Sequence, residues 1–108
     1  MLKKANRLNN TLFAKYFAQG KRIHSENLTT VFSPNEGFLC AVVVGKKIYK
    51  KAHERNLLRR RIYTMVREVA KNKTVKGVYI FLVKPTVKNL TKKQFKDFIS
   101  EEVGRILK

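Results

Sequence analysis

Residues 52–71 carry the pattern that most restricts how this chain can fold. Leu58, Ile62, Met65 and Val69 recur at i, i+4, i+7 and i+11, the spacing that lines one face of an α-helix. The same stretch, AHERNLLRRRIYTMVREVAK, holds Arg55, Arg59, Arg60, Arg61 and Arg67. A helix of this kind must bury its apolar stripe against another layer and leave its cations in water. Asn56, Arg60, Tyr63 and Arg67 repeat the spacing and make a second stripe at an angle to the first.

The flanking sequence predicts the layer that receives the stripe. Leu12, Phe13, Tyr16 and Phe17 have helical spacing, with Asn9 or Asn10 as the N-cap and Gly20 at the C′ position. Leu28–Phe32 and the apolar run Phe38–Val44 read as strands joined by the turn cluster Ser33–Gly37. They are expected to form an antiparallel hairpin, with an earlier short strand near Arg22–His24. Val78–Val83 is another strand, stopped at Lys84-Pro85. Thr91 caps a last helix that buries Phe95, Phe98, Ile99, Val103 and Ile106 or Leu107. The order is α-β-β-(β)-α-β-α. The strands on either side of the long helix are expected to be parallel. The predicted class is α+β, a two-layer α-β sandwich forming one domain over residues 1–108, with helices on one sheet face and the other face open.

Charge narrows the function. The chain has 25 Lys+Arg against 7 Asp+Glu, a formal net charge of +18, yet 44% of its residues are apolar. The apolar share argues for a folded core rather than disorder. The excess charge opposes compaction and calls for a polyanionic partner, nucleic acid first and an anionic membrane surface second. Cys40, the single cysteine, lies in FLCAVVV and is read as a buried small hydrophobe, compatible with a reducing cytoplasm. The apolar stretches are too short to span a bilayer, and the basic start MLKKANRLNN lacks a signal-peptide core. His24 and His53 have no metal-site spacing, and there is no Gly-rich phosphate loop. Asp97, Glu101 and Glu102 are read as solvent-facing counterweights. Catalysis by the protein's own side chains is not expected.

Two sets of residues suit RNA. Guanidinium groups on a rigid helix pair with phosphate oxygens through two hydrogen bonds, and Asn56 adds a donor and an acceptor for a base edge or sugar hydroxyl. Arg55, Asn56, Arg59, Arg60 and Arg67 make up this set. The second set is Phe13 and Phe17, one turn apart: if their edge of the helix faces the sheet across a cleft, the rings can stack on unpaired bases while Lys46 and Lys47 neutralise the backbone, and if not, both are core. From the strand Leu28–Phe32 one alternating set faces this cleft, either Thr30 with Phe32, the pair assigned to the site, or Thr29 with Val31.

Lys46-Lys47 followed by KKAHERNLLRRRI resembles the Arg-Asn-Arg signature of bacterial ribonuclease P proteins, through Arg55, Asn56, Leu58, Arg59 and Arg60. Further likeness lies in the start from Lys4 to Leu8, in Phe13 and Phe17, in the Gly20 turn, in Val43–Lys47, and in the strand ending at Lys84-Pro85. The chain departs from the motif at Leu57, where the triplet's third residue is usually Arg, at Tyr63, usually basic, and at Arg61, often apolar. The resemblance implies a left-handed β-α-β crossover around the Arg-rich helix, where general topology rules favour a right-handed one. It also implies a cytoplasmic, RNA-binding subunit, monomeric alone. Its partners would be the catalytic ribonuclease P RNA and precursor tRNA. The RNA would hold the catalytic Mg²⁺, and the cleft would take the single-stranded 5′ leader. A ribosomal or other structural RNA-binding protein is the alternative, followed by a basic DNA-binding or membrane-surface protein.

Overall fold

A computed structural model describes residues 8–71 and 74–107. The basic tail with Lys3, Lys4 and Arg7 lies outside them. The elements are α1 (Asn10–Gln19), β1 (Lys21–His24), β2 (Leu28–Ser33), β3 (Phe38–Val43), α2 (Ala52–Lys71), β4 (Gly77–Val83), a 3-10 turn at Pro85–Asn89, and α3 (Lys92–Ile106). The mixed α+β class and the element order match the expectation, and the extra short strand is present as β1.

The sheet order is β1-β2-β4-β3. β1 and β2 form the antiparallel hairpin, β2 pairs antiparallel with β4, and β3 pairs parallel with β4. The expected hairpin between β2 and β3 is therefore corrected: β4 inserts between them. The reason is burial. Val78–Val83 is apolar at every position, so both of its faces need cover, and a strand of that kind belongs at the centre of a sheet. The Ser33–Gly37 connection steps over it. Gly77 starts β4 at φ 116, a backbone region that disfavours side chains, and an added Cβ would stand 2.8 Å from the Phe32 ring.

Alternation along the strands feeds two apolar clusters. On one face Leu28, Cys40, Val42, Tyr79, Phe81 and Val83 pack with Leu58, Ile62, Tyr63 and Val66 of α2 and Ile99 and Val103 of α3. On the other, Val31, Ala41 and Ile80 pack with Leu8, Phe13, Tyr16 and Phe17 at α1. The expectation that all the helices share one sheet face is therefore corrected: α1 covers part of the face opposite α2 and α3. Asn9 caps α1 through its side chain, which accepts from the Leu12 N–H at 2.8 Å. Gly20 ends α1 in extended backbone (φ −70, ψ 151) rather than in a left-handed cap. A glycine is needed there because a Cβ would collide with Val31 and stand 2.8 Å from the Tyr16 carbonyl. Cys40 is fully buried, and that burial pushes its thiol well above the ordinary range.

Two polar contacts hold the edges. Tyr63 turns inward, and its hydroxyl accepts the N–H of Val42 at 3.1 Å, while the Leu8 N–H donates to the Cys40 carbonyl at 3.2 Å. Both groups lie on the outer edge of β3, which would otherwise offer them to another chain. Glu102, expected in solvent, is 1% exposed. It shares the inward face of α3 with Ile99, three residues before it, and Ile106, four after it. Its carboxylate accepts the Asn27 backbone N–H at 2.7 Å and the Asn27 side-chain amide at 3.0 Å. The Asn27 carbonyl in turn accepts the Lys84 N–H at 2.9 Å, and Lys84 Nζ donates to the Ser25 carbonyl. The β1–β2 turn is thereby tied to α3 and to the end of β4.

Glu102→Ala leaves the Asn27 N–H buried without an acceptor. It is expected to cost about 2–3 kcal/mol, seen as a lower urea midpoint, with Glu102→Gln losing less.

Candidate nucleic-acid interface

α2 starts at the end of a lysine-rich connection and is held there by one of its own arginines. The Arg55 guanidinium donates to the carbonyls of Tyr49 and Lys50 at 2.9 and 2.6 Å. Arg59 is half-buried and donates to Asn56 Oδ1 at 2.7 Å. These two arginines therefore brace the start of the helix and orient Asn56. Asn56, Arg60 and Arg67 are exposed and share one line of the helix. The acids Glu54 and Glu68 fall with Arg61 on a different line, at seven-residue spacing. Tyr63 does not belong to the exposed stripe. At 6% exposure it is a core residue, and the apolar face runs through Leu58, Ile62, Tyr63 and Val66, with Met65 and Val69 half-buried at its margin. The angle between the two stripes placed Tyr63 on the boundary, and the unpaired edge of β3 decided its direction.

On the other side of the sheet, the Phe13 and Phe17 rings stack at 5.6 Å between centroids, 19° from parallel. The Arg22 guanidinium lies 4.8 Å from the Phe17 ring centroid, a cation–π distance. The strand register explains what lies beside them. One cross-strand row, Arg22–Val31–Ile80–Ala41, runs under α1, and its three apolar members are buried. The next row, His24–Thr29–Leu82–Val43, is left exposed or half-exposed. It forms an open floor beside the aromatic pair, with His24 Nδ1 and Thr29 Oγ1 3.3 Å apart.

This register decides between the two sets of β2. Thr29 and Val31 face α1. Thr30 and Phe32 point to the opposite face, with Leu28, into the core under α2 and α3. Thr30 is fully buried, its hydroxyl without a hydrogen-bond partner among the described residues, and Phe32 packs on Tyr79. The placement of Thr30 and Phe32 in the cleft is corrected accordingly. Lys46 and Lys47 are exposed in the connection after Val43, just beyond the open row, where they line a pocket with Ile48, Tyr49, Lys50, Lys51, Glu54 and Lys88. Arg22, His24, Leu82 and Val43 were missed from the sequence. The alternation of Leu28, Thr30 and Phe32 with the β4 core, had the β2–β4 pairing been visible, would have found them.

Comparison with known proteins follows the same geometry. The family model described as Ribonuclease P matches residues 2–107. A ribonuclease P protein component from Phytoplasma australiense is 34% identical over 93 residues, covering 83% of this chain and 80% of that one. Another, from Onion yellows phytoplasma (strain OY-M), is 37% identical over 98 residues, covering 91% of this chain and 60% of that longer one. The fold matches a solved structure of the Staphylococcus aureus RNase P protein with TM-score 0.72 at 23% identity, over 95% of each chain. With the Arg55-Asn56 helix start, the aromatic pair on the sheet and a match along nearly its whole length, the chain belongs to the ribonuclease P protein family.

Proposed function

We propose that this chain, as the protein subunit of ribonuclease P, binds RNA through two surfaces on opposite sides of its sheet. On one, Asn56, Arg60 and Arg67 of α2 meet the ribozyme RNA, with Arg55 and Arg59 holding the helix start in place. On the other, Phe13, Phe17, Arg22 and the row His24–Thr29–Leu82–Val43 receive the unpaired 5′ leader of precursor tRNA, and Lys46 and Lys47 neutralise its backbone. The observation that carries this reading is the pairing of an exposed guanidinium line with a stacked aromatic pair beside an open strand row, in a chain of this family.

The physics of each surface suits its partner. Fixed cations displace condensed counterions from a folded RNA and position it without reading sequence. Aromatic rings accept unpaired bases of any sequence, because every base offers a π-face. Hydrolysis belongs to the RNA on this reading, and so does the catalytic Mg²⁺. Among the described residues no three His, Cys, Asp or Glu side chains gather to hold an ion. The protein's contribution is to hold leader and ribozyme together and to lower the Mg²⁺ needed, by supplying positive charge where the two RNAs meet. No described helix is long and apolar enough to cross a membrane, and the reading assigns the chain to the cytoplasm. Family membership disfavours a ribosomal role.

Reconstitution tests the proposal. Added to ribonuclease P RNA from the same source at limiting Mg²⁺, the chain should accelerate precursor cleavage, and an unchanged rate would refute it. Arg60→Ala should weaken ribozyme binding and reduce the slope of log affinity against log salt by roughly one unit, measured by titration at several salt concentrations. Phe17→Ala should weaken binding of leader-bearing precursor by about tenfold and leave mature tRNA nearly unaffected, since a stacked base contributes about 1–3 kcal/mol.

A further inference from the structure

A groove of about 410 Å³ runs between α2 and the first turns of α3. Its floor is apolar, made by Leu57, Met65 and Phe95, and four cations stand around it: Arg60, Arg61, Lys92 and Lys96. No acidic side chain lines it among the described residues. Leu57 is 50% exposed, and among the described residues the other exposed large apolar side chain is Ile23, at 38%. Together with Met65 and Phe95 the exposed leucine makes an apolar surface whose burial by a partner is favourable. Leu57 is also the third residue of the triplet, where the family motif usually carries arginine.

We propose that this groove seats one unpaired nucleotide of the RNA partner, its base against Leu57, Met65 and Phe95 and its flanking phosphates against the four cations. The proposal rests on the reading that α2 binds RNA. An apolar floor inside a ring of positive charge matches a nucleotide, whose base has flat apolar faces and is flanked by two anions. Continuity also favours RNA. Arg60 belongs both to the groove and to the exposed line with Asn56 and Arg67, so a strand tracking that line enters the groove without leaving the basic surface. Here the usual arginine contact at the third triplet position is replaced by base burial. The chain loses one cation from the helix and gains a contact that salt does not screen.

Affinity and its salt dependence separate the two kinds of contact. With the full chain and transcribed ribonuclease P RNA, Leu57→Asn should weaken binding by about tenfold with an unchanged salt slope, because no phosphate contact is lost. Lys96→Ala should flatten the slope, and Leu57→Phe should retain affinity. A short oligoadenylate should also bind Phe17→Ala protein more tightly than its abasic counterpart of equal charge, and adding Leu57→Asn should abolish that preference. If Leu57→Asn binds like the unaltered chain while Arg60→Ala weakens, the groove is not a nucleotide seat and the RNA-binding role of α2 stands. If neither substitution alters binding, both fall. An acidic amphipathic peptide that occupies the groove, with no base preference in the oligonucleotide comparison, overturns the proposal in favour of a protein partner.

Discussion

The structure depends on β4 being apolar along both of its faces. A strand of that kind cannot lie at an edge, so it takes the centre, with β2 antiparallel on one side and β3 parallel on the other. From there its alternating side chains divide the molecule. Tyr79, Phe81 and Val83 receive α2 and α3, Ile80 receives α1, and Leu82 floors the open row beside it. The two surfaces proposed to meet RNA are separated because this one strand sends side chains both ways. Every residue of the open row is positioned by its pairing to β4, directly or through β2.

Much of this was legible in local patterns. The periodicity of α2 set its limits and most of its buried face, the Thr91 cap and Asn9 cap were visible as residue types, and FLCAVVV announced a buried strand around Cys40. What failed was non-local. Sequence neighbours β2 and β3 look like a hairpin, because most consecutive strands pair; only the demand of β4 for cover on both faces breaks that expectation. The same missing pairing left the parity of β2 open and put Thr30 and Phe32 in the cleft instead of the core. Tyr63 and Glu102 were misjudged for another reason. Their polarity suggests solvent, but each satisfies a backbone N–H contributed by a distant segment, Val42 in one case and Asn27 in the other. A polar residue that answers a remote unpaired group leaves no signature in its own neighbourhood.

The charge balance also looks different once folded. The cations divide into those that brace the fold and those that remain for a partner. Arg55 and Arg59 are occupied with carbonyl and amide oxygens of the chain itself. Arg60 and Arg67 stay on the outer line. Self-repulsion is tolerated because the free charges stand in solvent over packed elements, where apolar burial outweighs the screened repulsion.

The latch between Tyr63 and Val42 has a mechanical consequence. A helix that merely rests on a sheet can slide or roll along its greasy contact, but one whose hydroxyl is pinned to an edge amide has a fixed phase. The guanidinium line of α2 is therefore indexed to β3, and through β4 to the aromatic pair on the far side. On the proposed reading the protein acts as a calliper: one jaw grips the ribozyme, the other the leader, and the gap between them is set by the thickness of a single sheet.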